Sequence, residues 1–143
     1  MGAAICLLAT TQVLTKLAPV LTDYPNVPFV LDHCGLQPLD SSLSCLGAPA
    51  LFALASLDNI VLKVSSRVFS KCLGDEREVI RSLVSEFGAE RLMWGSDFPA
   101  SSDASYSAAA KRVVHATSDL TPTDRAHILH STSERVFWRS SQE

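Results

Sequence analysis

Three short apolar runs, Val27 to Asp32, Asn59 to Val64 and Arg91 to Trp94, punctuate a chain otherwise mixed in polarity. Each is rich in Val, Leu, Ile or aromatic residues and bounded by turn formers, the pattern of a buried strand. A fourth apolar run, Ala3 to Ala9, reads as one more strand. The segments between them have helical character: Gln12 to Leu21, Ala50 to Leu57, and Arg77 to Phe87, where Val79, Ile80, Leu83, Val84 and Phe87 recur at helical spacing. Asp75 is placed to cap that last helix and Gly88 to end it. Pro19 weakens the end of the first helix, and Tyr24-Pro25-Asn26-Val27-Pro28 turns the chain into the next strand. After a Ser/Ala-rich loop, Tyr106 to Ala116 predicts a further helix. Thr121 and Pro122 open a final one through Ile128 and Leu129 toward Val136, the threonine as cap and the proline at the first helical position.

The order is strand–helix four times over, plus a terminal helix. The polar residues that close the last three strands, His33, Ser65 and Asp97, follow one another at equal intervals of 32 residues. One interval accommodates one βα unit. Four parallel strands with right-handed crossovers fit half of an eight-stranded barrel, and they also fit a small doubly wound sheet. No Gly-rich phosphate loop of the GxGxxG or GxxxxGK[ST] kind follows any strand, so no motif supports nucleotide binding.

A chain of 143 residues is expected to form one domain, residues 1–143. Its hydrophobic fraction of 47%, charged fraction of 19% and mean hydropathy of +0.19 suit a buried parallel sheet. The net charge of −3, with no Lys/Arg cluster, argues against nucleic acid as a partner. No window of about 18 apolar residues supports a membrane span. Ala3 to Ala9 resembles a signal-peptide core, but no positive residue precedes it and the run is short, so a cytoplasmic location is expected. Cys6, Cys34, Cys45 and Cys72 lack CxxC spacing and are expected to be reduced thiols.

Candidate chemistry begins where the strand Arg91 to Trp94 stops, at Gly95-Ser96-Asp97-Phe98-Pro99. An acid at the carboxyl end of a parallel strand stands on the edge where α/β folds build their sites. The competing reading is a plain turn in which Asp97 bonds its own backbone. Asp32 is expected to point away from a pocket shared by His33, and to orient a backbone group. Period-two geometry puts Lys63 on the face of Ser65. His127 and His130, three apart on the last helix, read as a surface pair without a third metal ligand, and His115 as a helix-end histidine placed favourably against the dipole.

The strand ends Val30-Leu31-Asp32-His33-Cys34-Gly35, Leu62-Lys63-Val64-Ser65 and Leu92-Met93-Trp94-Gly95-Ser96-Asp97-Phe98-Pro99 together resemble the amidohydrolase-related family of TIM-barrel hydrolases. That family includes pyrone-dicarboxylate and sugar-acid lactonases and, more distantly, aminocarboxymuconate-semialdehyde decarboxylases. The Tyr24-Pro25 turn and the segment Ile128-Leu129 to Val136-Phe137 are similar as well, so the resemblance covers nearly the whole chain. It implies an α/β fold: the C-terminal half of a (β/α)8 barrel, strands five to eight, with His33 ending the sixth, Ser65 the seventh and Asp97 the eighth.

The resemblance further implies hydrolysis of a lactone or related cyclic carboxylate. Asp97 would be the general base toward water, and His33 would polarise the carbonyl or shuttle a proton. From their places in the sequence, apart from the resemblance, Arg67 after the Ser65 strand end is expected either to clamp a substrate carboxylate or to stand as a solvated loop arginine, and Lys63 to reach the barrel interior toward substrate or to pair with an acid there. The family's first-strand His-x-His has no counterpart, and the fifth-strand position near Leu8-Ala9-Thr10 offers no imidazole. No metal site is therefore assigned. Asp97 is the one candidate ligand, and a divalent ion such as zinc is expected only if other ligands are supplied. The alternative function is a non-catalytic half-barrel of the same family. A small-molecule carboxylate or lactone is the expected ligand, with a homo-oligomer or another half-barrel expected to cover the open sheet edges.

Overall fold

The computed structural model describes residues 3–36 and 48–138; Cys45 lies outside them. Four strands, β1 (Ile5–Leu7), β2 (Phe29–Asp32), β3 (Ile60–Val64) and β4 (Leu92–Trp94), form one sheet. Every pair is parallel and the spatial order is β1-β2-β3-β4. The strands are shorter than the apolar runs. Pro28 has no N–H to give the ladder, so β2 starts at Phe29 and not at Val27.

Helix α1 (Thr11–Asp23) follows β1 and carries Pro19 inside it. Helix α2 (Ala48–Ala53) follows β2 and ends in a tight turn at Leu54–Ser56, which shortens the helix expected to reach Leu57. Between β3 and β4 lie a short helix, α3 (Ser66–Ser70), and α4 (Glu76–Phe87). Asp75 caps α4 by accepting from the Arg77 N–H, and Gly88 ends it at φ 79°. Helix α5 (Tyr106–Ala116) matches its sequence pattern, with the Ser105 hydroxyl accepting the Ala108 N–H. The last helix runs as α6 (Pro122–Ala126), a wider π turn (His127–Ser131) and α7 (Thr132–Phe137). Thr121 caps α6 as expected.

Alternation along the strands creates two unequal faces. Phe29, Leu31, Ile60, Leu62, Val64 and Leu92 join the main core, packed with Leu14 and Leu21 of α1, Leu51 of α2, Val79, Ile80, Leu83 and Phe87 of α4, and Val113 of α5. The opposite face contributes a separate cluster, Val30, Val61 and Met93, against which Ala4 and Val136 pack. A sequential strand order with right-handed crossovers sends the connecting helices to one side of the sheet. A doubly wound sheet instead reverses its order at a switch point and covers both faces. The chain is thus an open half of a (β/α)8 barrel: α1 to α5 outside, the Val30/Val61/Met93 face toward the barrel interior, and β1 and β4 at the edges.

Leu62 is fully buried in the outer core. Leu62→Ala is expected to lower the unfolding free energy by about 2–5 kcal/mol, read as a reduced urea midpoint. Leu73→Ala, at a side chain 69% exposed, is expected to change it by no more than about 0.5 kcal/mol.

Candidate active site

The parallel register sets Asp32 opposite Lys63 and Val64 opposite Trp94, so β2, β3 and β4 end on one line. The Gly95 N–H extends that ladder by donating to the Val64 carbonyl at 3.0 Å. Beyond this line the backbone leaves strand geometry abruptly. His33, Cys34 and Leu36 have φ of 56°, 51° and 61°, and Asp97 has 57°. These four are the non-glycine residues with positive φ among the described ones. Such residues cost on the order of 1–3 kcal/mol each and collect at functional sites. The left-handed turn takes His33 off the strand's alternation, and Gly35 within it sits so close to α1 that a Cβ would lie 2.8 Å from Leu14 Cδ1.

What the turns bring together is a chain of side chains running from the core to solvent. The Ser65 hydroxyl lies 2.7 Å from His33 Nδ1, and His33 Nε2 faces Asp97 Oδ1 at 3.8 Å. Arg67, carried by α3, donates from Nε to Asp97 Oδ2 at 3.2 Å and reaches the Ala100 carbonyl from Nη2 at 3.5 Å. Ser65 is fully buried and His33 nearly so, whereas the Asp97 side chain is 19% exposed and that of Arg67 43%. The plain-turn reading of Asp97 does not hold geometrically, because the turn bond is made by Ser96, whose Oγ accepts the Phe98 N–H at 3.2 Å. The Asp97 carboxylate is thereby left for His33 and Arg67.

The loop that carries Asp97 is held down on its far side. Phe98-Pro99 is a cis peptide. Ser102 is bonded to Ser70 of α3 at 2.6 Å, and Asp103 to Arg112 of α5 at 3.5 Å. Arg112 also donates from two nitrogens to Glu76 of α4 at 2.9 and 2.6 Å. Three helices therefore fix the position of one loop.

Asp32 corrects its expected role. It stands on the interior face with Val30, and its carboxylate holds the Lys63 ammonium at 3.0 Å in place of orienting a backbone group. Lys63 does reach the barrel interior, but its charge is spent on Asp32 and not left open beside Arg67. Gly95 lies against the Lys63 side chain, where a Cβ would come within 2.7 Å of Lys63 Cε. The pair borders an interior cleft of about 350 Å³, whose other walls include Cys6, Met93 and Trp138.

Burial pushes His33 below its ordinary value of 6.5, with the Asp97 charge pulling the other way. The imidazole is therefore neutral at pH 7. Cys34, its neighbour in sequence, is wholly buried and pushed up to about 12, so it is no thiolate nucleophile. Cys6, Cys34 and Cys72 are all free thiols. His33 and Asp97 together offer one imidazole and one carboxylate, and among the described residues no three His, Cys, Asp or Glu side chains gather as a metal site would require. His130 faces Glu134 at 3.6 Å on the surface, remote in role from this cluster, and His115 is exposed in the last turn of α5.

Of the site residues expected from sequence, His33, Asp97 and Arg67 come together, while Lys63 joins Asp32. Ser65 is the polar neighbour that sequence reasoning left without a role. Its signal was present in the equal spacing that links it to His33 and Asp97.

A half-barrel with an imidazole and a carboxylate facing each other across the carboxyl edge defines the class: a β/α-barrel protein. The family model described as amidohydrolase matches residues 3–139, and the chain belongs to that family. An L-fucono-1,5-lactonase from Burkholderia ambifaria is 31% identical over 99 residues, covering 66% of this chain and 34% of that protein. A crystal structure of an amidohydrolase from Burkholderia multivorans, with bound zinc, aligns at a TM-score of 0.71 and 25% identity over 92% of this chain and 51% of its own. A Pseudomonas putida structure, assigned as a 2-pyrone-4,6-dicarboxylic acid hydrolase, shares the fold at a TM-score of 0.70 and 24% identity, covering 95% of this chain and 52% of that one. The chain spans between a third and about half the length of these relatives. No helix among the described residues is long and apolar enough to cross a membrane.

Two titrations check the electrostatics. Because Asp97 is the main influence raising His33, Asp97→Asn is expected to move the His33 midpoint further down in an NMR pH titration; a rise would contradict the geometry. A histidine depressed in the folded state contributes stability that is complete above its unfolded value of 6.5 and is lost as pH falls through the folded value. Between pH 7 and about pH 5 the wild type is therefore expected to lose more unfolding free energy than His33→Gln, measured by urea denaturation.

Proposed function

We propose that these four strands carry the catalytic edge of a hydrolase that opens a lactone or a related cyclic carboxylate. The observation that supports this most is the Asp97 carboxylate, held at the sheet's carboxyl edge between His33 at 3.8 Å and Arg67 at 3.2 Å and still open to solvent. In this reading Asp97 takes a proton from water as the water oxygen bonds to the ester carbonyl carbon. The neutral His33 donates a hydrogen bond from Nε2 to the oxygen on which negative charge develops. The tetrahedral adduct collapses with cleavage of the ring C–O bond, and the ring oxygen leaves as a hydroxyl, taking up the proton held by Asp97. The outward arm of Arg67 pairs with a carboxylate of the substrate, which suits an acid-bearing ring. The named activities of the lactonase and pyrone-dicarboxylate relatives agree with this chemistry.

The Val30/Val61/Met93 face and the edges β1 and β4 favour a second reading, a half-barrel that is inactive until strands complete the closed sheet. The two readings separate in one assay. Ring opening of sugar-acid lactones and pyrone dicarboxylates is followed by proton release, alongside sedimentation of the same sample. Turnover that falls by about 10²–10⁴ in Asp97→Asn, with Arg67→Ala raising KM for acid-bearing rings more than for neutral ones, supports the hydrolase. A well-folded chain that opens none of them supports the inactive half-barrel, and turnover indifferent to Asp97→Asn overturns the assignment of the base.

A further inference from the structure

We propose that Ser65 is a positioning residue that holds neutral His33 in the tautomer protonated at Nε2, an inference that deepens the proposed role of His33 as a donor. Ser65 occupies the N-cap position of α3 with extended φ and ψ of −137° and 170°. A serine there ordinarily turns its hydroxyl back to accept an amide of the first helical turn. The Ser65 hydroxyl makes no such cap bond and lies instead 2.7 Å from His33 Nδ1. Among the other hydroxyl caps, Ser105 on α5 and Thr121 on α6 bond their helices, whereas Thr10 on α1 does not. Ser65 has given up its cap for the imidazole.

The direction of that bond follows from both ends of the ring. Ser65 is fully buried, and His33 Nδ1 is the acceptor its hydroxyl proton has among the described residues. Were Nδ1 protonated, that hydroxyl hydrogen would be buried without an acceptor. At the far side Nε2 faces Asp97 Oδ1 at 3.8 Å, where an N–H is attracted to the carboxylate and a lone pair is repelled. Each contact selects the same tautomer. The other charged groups that act on His33 are Lys63 and Arg67, which lower it, and Asp32, which raises it.

The same geometry excludes a nucleophilic role for Ser65. In a serine triad the hydroxyl meets Nε2 at an open surface and the carboxylate holds Nδ1. Here the attachments are exchanged: the serine holds Nδ1 from within the core, and the carboxylate stands with Nε2 at the open side.

Long-range 15N–1H correlation spectra of the full chain at neutral pH test this directly, with the His33 signals identified among the four histidines by their loss in His33→Gln. The expected result is His33 Nδ1 in the unprotonated range and Nε2 in the protonated range. In Ser65→Ala the two shifts are expected to move toward each other as the tautomers mix, and Ser65→Thr, which restores the hydroxyl, is expected to return them. A wild-type His33 protonated at Nδ1 overturns the proposal, as does a folded Ser65→Ala with unchanged shifts. The wild-type spectrum decides the tautomer even if Ser65→Ala fails to fold. No turnover is required, so loss of the lactone-opening reading and loss of this one are separate outcomes.

Discussion

Everything at the candidate site depends on the parallel register of β2, β3 and β4. With Asp32 opposite Lys63 and Val64 opposite Trp94, three successive βα units bring His33 and Ser65, directly after their strands, and Asp97, beyond Gly95 and Ser96, to the same edge. A slip of one residue in any pair would exchange the two faces of that strand. The apolar outer face prevents such a slip, since it would carry Leu31, Leu62 or Leu92 out of the helix-packed core. Hydrophobic burial on one side of the sheet therefore positions the polar groups at its edge.

At that edge the chain departs from the least costly backbone. His33, Cys34, Leu36 and Asp97 adopt left-handed φ that glycine accommodates far better. The surroundings hold these residues there: Gly35 lies against Leu14 of α1, and the Asp97 loop is bound through Ser102, Asp103 and Ala100 to α3 and α5. The result is a graded row, from buried Ser65 through His33 and Asp97 to exposed Arg67. Low dielectric at its inner end keeps the imidazole neutral, while the outer end retains an ion pair in contact with solvent. An imidazole and a carboxylate thus face one another across a gap at the sheet edge.

The interior face tells the other half of the account. Asp32 and Lys63 neutralise each other beside Gly95, and Val30, Val61 and Met93 lie beneath the terminal helix at Val136. Relatives matched over nearly this entire chain are about twice as long. The cluster at the carboxyl edge lies within the stretch that matches the amidohydrolase family model.

The amino-acid sequence determined the strand–helix alternation, because buried strands and amphipathic helices have different periods and their boundaries carry Asp75, Gly88, Thr121 and Pro122. It also marked His33, Ser65 and Asp97 through their even spacing, since successive βα units return the chain to the same edge. The choice between half a barrel and a doubly wound sheet belonged to the tertiary structure, because strand order is a matter of which edges pair. So did the partner of each polar group. Asp32 met Lys63 through a cross-strand contact that alternation within one strand does not encode, and Ser65 left its helix for His33 because a left-handed turn, legible only faintly at Gly35, swung the imidazole toward it.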